Sequence, residues 1–197
     1  ETHPYLNPYY EDGQRINDEI MEEIMFYKDK LEEMTGKPFL IKWVNDIYLN
    51  GKKVCGILTE SALDAGSGRM AYAVLGIGVN VTEPKEGFAR TIAHIAGALY
   101  DFGQEPEAFR EKLAAEICNR FLALYPDMHS VRLAERYRAL SLMCGRKIAV
   151  IDDITKPELM RKACVLAIDD DFGLRVRLED GSEETLHSGD VSLRLTD

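Results

Sequence analysis

The chain has 197 residues, 46% of them hydrophobic, which is enough for one full core and a small second module and too few for several domains. A formal net charge of −10 repels phosphate backbones and anionic bilayers over most of the surface, which argues against nonspecific nucleic-acid or membrane-surface binding. No run of about 18 apolar residues exists to span a bilayer, and the opening ETHPYLNPYYEDGQ lacks the basic-then-apolar pattern of a signal peptide, so a soluble, cytoplasmic protein is expected. Glu1 in place of a methionine points to a processed product or to part of a longer protein. Cys55, Cys118, Cys144 and Cys164 are scattered singly in apolar stretches without the C-x₂-C pairing of a zinc or redox motif, and are expected to be buried thiols.

In chain order, Ile16, Ile20, Ile24, Tyr27, Leu31 and Met34 repeat three or four apart over 14–35, a helical stripe stopped by Gly36 and Pro38. Short strands are expected at 39–43 and 47–49 around the turn Val44-Asn45-Asp46. Asn50-Gly51 then predicts a tight hairpin into 52–60, because both positions accept positive φ. Residues 63–69 form a loop by their glycines and small polar side chains, and the nearly continuous apolar run 71–81 is expected to be a central strand. Helices are expected at 89–101, at 107–125 behind Pro106, and at 130–143 behind Ser130 as N-cap. From about Arg146 the texture changes to five short β-like runs, 147–151, 162–168, 174–179, 183–187 and 191–195, separated by turn signals at Asp171-Phe172-Gly173 and Asp180-Gly181. The fold class expected is α+β: a mixed sheet flanked by helices over 1–143, then a small SH3-like β-barrel over 144–197.

The chemistry concentrates in Lys42-Trp43-Val44-Asn45-Asp46, in Lys53 and Gly56 across the hairpin, and in Gly76-x-Gly78-x-Asn80 one strand later. Strand alternation turns Lys53 away from Val54 and puts Tyr72, Val74, Gly76, Gly78 and Asn80 on one face, where two glycines leave a groove that lets a ligand approach backbone. Joining a carboxylate to a nucleotide phosphate brings two anions together, so such a site needs positioned lysines and usually Mg²⁺. Two lysines converging from neighbouring strands would supply the positive charge. An asparagine can read adenine or a phosphate through its paired donor and acceptor, and Asp46 can hold Mg²⁺ or fix a lysine. Taken one at a time, these features also suit solvated hairpin lysines and ordinary turn chemistry. Trp43 reads as core, and His3, His94, His129 and His187 as isolated side chains.

The linked strings KWVNDIYLNGKKVCGILTE and VLGIGVNV closely resemble, in order and spacing, the lysine-tryptophan-proline-asparagine-aspartate, GILxE and GxGxN signatures of the biotin protein ligases. That family's central domain and small C-terminal barrel correspond to residues from about 36 to 195. The resemblance implies an ATP-dependent ligase that converts biotin and MgATP to biotinyl-5′-AMP and transfers biotin to one lysine of a biotin carboxyl carrier domain. It implies that Lys53 is catalytic and contacts the biotin carboxylate and α-phosphate, and that Lys42, Asn45, Asp46 and Asn80 serve ATP. By the same resemblance Asp46 also serves the metal, and Gly56, Gly76 and Gly78 line the biotin side. It further implies a possible homodimer through sheet edges.

Two departures stand out. Val44 replaces the usual proline, and residues 1–41 hold one arginine, Arg15, and two glycines, Gly13 and Gly36, where the family has an arginine- and glycine-rich loop and the ureido-ring contacts upstream of the tryptophan motif. The chain is therefore expected to be the C-terminal part of a truncated or longer ligase. The alternatives are a catalytically incomplete fragment or degenerate nucleotide-binding or dimerisation module, and, less well matched, a lipoate-type ligase.

Overall fold

The computed structural model describes residues 24–64, 66, 70–124, 133–151, 158, 160–187 and 192–195. Residues 24–35 form helix α1, with Ile24, Tyr27 and Leu31 buried along the expected stripe. It ends at Gly36, whose φ of 68° and N–H donated to Glu32 O (2.8 Å) make the left-handed helix stop. The expected helical residues 14–23 lie outside the described residues.

Strands β1 (Leu40–Lys42), β2 (Asp46–Leu49), β3 (Lys52–Leu63) and β4 (Met70–Val79) form an antiparallel sheet in that order. Asn50 and Gly51 make the hairpin turn at φ 50° and 75°, the pair of positive values that the turn requires. Because side chains alternate across a strand, the register sorts them into two rows. Ile41, Ile47, Cys55 and Val79 are paired in one row, turned into the core, and Lys42, Asp46, Gly56 and Gly78 in the next, turned outward. The apolar row anchors the sheet, so the charged row is held on its outer face.

Several expectations change. The strand at 71–81 is not central: β4 lies at the end of the sheet among the described strands, with Tyr72 61% and Val74 55% exposed. Its run of apolar letters includes outward residues that neither β3 nor any other described element covers. The sheet is not mixed either, since every pairing between named strands is antiparallel and parallel contacts occur only as isolated bridges, Ile41 to Ser141, Lys53 to Ala96 and Thr82 to Tyr100.

The helix expected over 89–101 is replaced by turns. Ala93 N–H donates to Ala89 O and Ala96 N–H to Ile92 O, after which the chain runs beside β3, with Lys53 N–H on Ile95 O and Gly97 N–H on Lys53 O, each 2.8 Å. Tertiary backbone pairing therefore displaces the local helical pattern. Helix α2 (Phe109–Leu124) follows Pro106 and buries Phe109 and Leu113, and α3 (Leu133–Leu140) buries Ala134 and Tyr137. Ser130 lies outside the described residues.

Strands β5 (Lys147–Ile151), β6 (Arg161–Ile168), β7 (Leu174–Leu178), β8 (Glu183–Leu186) and β9 (Ser192–Leu195) form an antiparallel sheet in the order β8-β7-β6-β5-β9. All five expected strands are present, and β8 and β9 are the two ends of the sheet among the described residues. Residues 141–146 link the two modules: Leu142 N–H donates to Ile41 O (2.9 Å) and Gly145 N–H to Val165 O (3.0 Å). The cysteine expectation holds in part. Cys55 is buried, with burial first and the Asp46 charge second pushing its thiol up to about 12, while Cys164 is half-buried and Cys118 and Cys144 are exposed. Cys118 lies on the outer face of α2 and Cys144 in a surface turn, so neighbouring apolar letters did not translate into burial.

Candidate functional site

The outward row of the first sheet is where charge gathers. Lys42 on β1 and Asp46 on β2 are direct register partners, and Lys53 on β3 reaches back over Gly56 to place its Nζ 2.5 Å from Asp46 Oδ1. Gly56 makes this crossing possible: a Cβ there would lie 2.9 Å from both Cε and Nζ of Lys53 and 3.4 Å from Asp46 Oδ1. The two lysines do not come from neighbouring strands, as expected from sequence. They flank β2, with the carboxylate between them.

Electrostatics follow from this placement. Burial holds the Lys42 ammonium below the ordinary lysine range, the Asp46 carboxylate opposes that shift, and the Lys53 charge reinforces it. Burial and the same carboxylate push the Tyr48 phenol up to about 12 and that of fully buried Tyr137 well above its usual value. Two cations and one anion leave the cluster net positive on a chain of net charge −10, so an anionic ligand finds its complement here.

The remaining expected residues surround this cluster unevenly. Gly78 pairs with Gly56 and extends the outward row to β4, while Gly76 lies two residues farther along, opposite Leu58. A Cβ at Gly76 or Gly78 would meet backbone at 3.5 and 3.8 Å, ordinary contact, so these two glycines keep the face low without being sterically obligatory. Asn45 donates its side-chain N–H to Ile57 O and accepts from Ile57 N–H at its own carbonyl (3.0 Å), and Asn80 donates to Gly97 O (2.9 Å). Both asparagines thus brace backbone next to the cluster. Among the described residues, no three His, Cys, Asp or Glu side chains gather as a metal cage. Asp46 is a single carboxylate, the donor set that suits Mg²⁺ carried in on phosphates.

Sequence reasoning missed the residues that hold the site from behind. Lys52 Nζ donates to Ala93 O (2.8 Å) and Lys37 Nζ to Leu99 O, so two lysines cap carbonyls of the 93–99 return. Gly97 is crossed by the Lys52 stem, whose Cβ would lie 2.5 Å from an added methyl group. The turn 43–45, whose Trp43–Val44 peptide is cis, is held by Tyr137 and Phe172. Trp43 Nε1–H donates to Phe172 O (2.8 Å) and the Tyr137 hydroxyl to Val44 O (2.9 Å). Gly97 carried a signal, a glycine inside a stretch read as helix; Tyr137 and Phe172 carried none at short range.

Comparison with known proteins adds sequence and fold. Residues 12–80 match the model of the Biotin/lipoate A/B protein ligase family. The chain is 42% identical over 69 residues to the bifunctional ligase/repressor BirA of Bacillus subtilis, covering 35% of this chain and 21% of that protein. It is 32% identical over 113 residues to the biotin–[acetyl-CoA-carboxylase] ligase of Mycobacterium tuberculosis, covering 56% of this chain and 38% of the relative. The matches thus span well under two thirds of these curated relatives. In fold, the chain is similar to the biotin protein ligase of Aquifex aeolicus, with a TM-score of 0.71 at 22% identity over 97% of this chain and 79% of that one. A structure of that ligase in complex with biotin and ATP gives a TM-score of 0.69, over 97% of this chain and 76% of that one. The charged row on β1 to β4 falls inside the segment matched by sequence, so the chain is similar to the biotin/lipoate A/B protein ligase family over residues 12–80 and shares its fold with a solved biotin protein ligase.

Proposed function

We propose that the chain is the C-terminal part of a cytoplasmic biotin protein ligase that activates biotin as biotinyl-5′-AMP and passes it to a lysine of a biotin carboxyl carrier domain. The observation that carries this reading is the Lys42–Asp46–Lys53 cluster, held over Gly56 on an open sheet face.

In the first step a biotin carboxylate oxygen attacks the α-phosphorus of ATP, forming a phosphorus–oxygen bond as the bond to the departing pyrophosphate breaks. Both reactants are anions, and Lys53 is the group placed to lie between them. Lys42 serves the phosphates, and Asn45 and Asn80 serve the nucleotide from the edges of the cluster. Gly76 and Gly78 leave room along the sheet for the biotin chain, and Gly56 serves the biotin side by giving passage to the Lys53 side chain that meets its carboxylate. Mg²⁺, when bound, neutralises phosphate charge, with Asp46 as its protein ligand. In the second step the neutral amine of the acceptor lysine attacks the activated carbonyl, an amide bond forms, AMP leaves and the amine loses a proton. The arginine- and glycine-rich loop and the ureido contacts belong, on this reading, to upstream sequence. Pairing through the β4 edge would give a homodimer, a reading supported by the place of β4 at the end of the sheet.

Isothermal titration of the 197-residue chain with biotin, with ATP·Mg²⁺ and with a non-hydrolysable biotinyl-adenylate analogue tests the reading. Analogue binding that disappears in Lys53→Ala, with folding stability changed by less than about 1 kcal/mol because the lysine is partly solvated, is the expected result. Absence of any binding to the unaltered chain would favour the degenerate module instead.

A further inference from the structure

Two segments distant in sequence close on the turn between β1 and β2. The Tyr137 hydroxyl, from α3, donates to Val44 O (2.9 Å), and Trp43 Nε1–H donates to Phe172 O (2.8 Å), in the connection between β6 and β7. The triangle is completed by the Tyr137 and Phe172 rings, edge to face with centroids 5.5 Å apart. Phe172 stands at φ 60°, a left-handed value that bulky residues rarely adopt. The Asp169 side chain supports it locally, accepting from Asp171 N–H (3.1 Å) and Gly173 N–H (2.6 Å).

All three aromatic side chains are buried, Tyr137 completely. The turn they grip separates Lys42 from Asp46, the register partners of the charged row. A shift of the Val44 carbonyl would move the entry to β2 and with it the carboxylate that holds Lys53.

We infer that Tyr137 is a positioning residue for this ligase site, clamping the 43–45 turn against the C-terminal module so that Lys42, Asp46 and Lys53 stay in register. The functional part of this inference rests on the reading proposed above; the clamp itself rests on geometry alone.

The chain has one tryptophan, so with ¹⁵N-tryptophan labelling the Trp43 indole is a single resonance. Its hydrogen exchange reads the clamp without ligand, and titration with ATP·Mg²⁺ reads the site. Tyr137→Phe keeps the ring and removes the hydroxyl, and is expected to speed indole exchange about tenfold, the worth of one hydrogen bond. It is expected to weaken ATP·Mg²⁺ binding about fivefold through loss of alignment. Leu31→Val, a core change in α1, is the control for general loosening and is expected to change either quantity by less than about twofold.

Equal exchange in the two variants overturns the clamp. Faster exchange in Tyr137→Phe with unaltered nucleotide affinity overturns the positioning role. An unaltered chain that binds no ATP·Mg²⁺ while the exchange contrast persists sinks the ligase reading and leaves the clamp standing. If Tyr137→Phe fails to fold, Phe172→Leu, which keeps the backbone carbonyl and loses the ring contact, is read against the same control with the same expectations.

Discussion

A lysine half-buried beside a second lysine gives up its proton more readily in the folded chain than in the unfolded one, and Lys42 is so placed, burial being the larger cause and Lys53 the smaller, with Asp46 opposing. Between its lowered folded value and the unfolded value near 10.5, the unfolded chain binds more protons, so stability rises with pH through that window. Below the window the full penalty of the buried ammonium is present. Lys42→Met, which keeps the stem and removes the charge, is therefore expected to raise the urea midpoint at pH 7, with the gain over the unaltered chain shrinking as pH approaches 10.5. A lower midpoint at pH 7 would mean that pairing with Asp46 outweighs burial. The same variant is expected to weaken ATP binding more than biotin binding in calorimetry. Much of this residue-level arrangement was legible in the sequence. Strand alternation and the Asn50-Gly51 turn fix which side Lys53 faces, whereas the crossing of its side chain over Gly56 depends on how β2 and β3 pair and emerges only in the structure.

At the level of elements, what could be read was set by local pattern and what could not was set by partners. The hairpin and the five C-terminal strands follow from turn chemistry and β-branched runs; the five strands lie within a residue of their expected spans, while the second strand of the hairpin runs three residues past its expected end, to Leu63. The stretch 89–101 has helical spacing, yet Lys53 captures Ile95 and Gly97 through its own N–H and C=O, and that pairing is invisible to any short window. For β4, an apolar run looked the same whether both faces were covered or only one. The 93–99 return depends on close packing of Gly97 against Lys52, whose Cβ would stand 2.5 Å from a methyl group added there. Gly97→Ala is accordingly expected to cost about 1–3 kcal/mol in thermal denaturation, since neither backbone-fixed atom can swing away. A loss under about 0.5 kcal/mol would show that the return slides freely along β3.

Across the whole molecule the core is continuous. Ile24 and Leu31 of α1, Ile41 and Ile47 of the first sheet, and Val150, Leu174 and Val176 of the second belong to one buried cluster. Arg138 adds a link at the rim, donating to Ile168 O (3.2 Å) and to Asp170 (2.8 Å), although the 88% exposure of Asp170 limits what that ion pair contributes. A composition change near Arg146 suggested two separate modules; the apolar surface that joins them could not be read from either part alone. Unfolding is therefore expected to be a single transition, with Trp43 fluorescence and far-ultraviolet circular dichroism giving coincident midpoints in urea. Two separated midpoints would mean that the modules unfold independently.

The hydrogen bond from Trp43 to Phe172 spans 129 positions of the chain. Proteins are synthesised from the N-terminus, and domains generally form as they emerge. By the time the ribosome has completed the Lys42–Asp46 turn and the Lys53 hairpin, the carbonyl that receives the indole N–H does not yet exist. The turn at 43–45 is thus made well before it is secured, and a chain released before Phe172 would carry every residue of the charged row without the support that holds its turn in place.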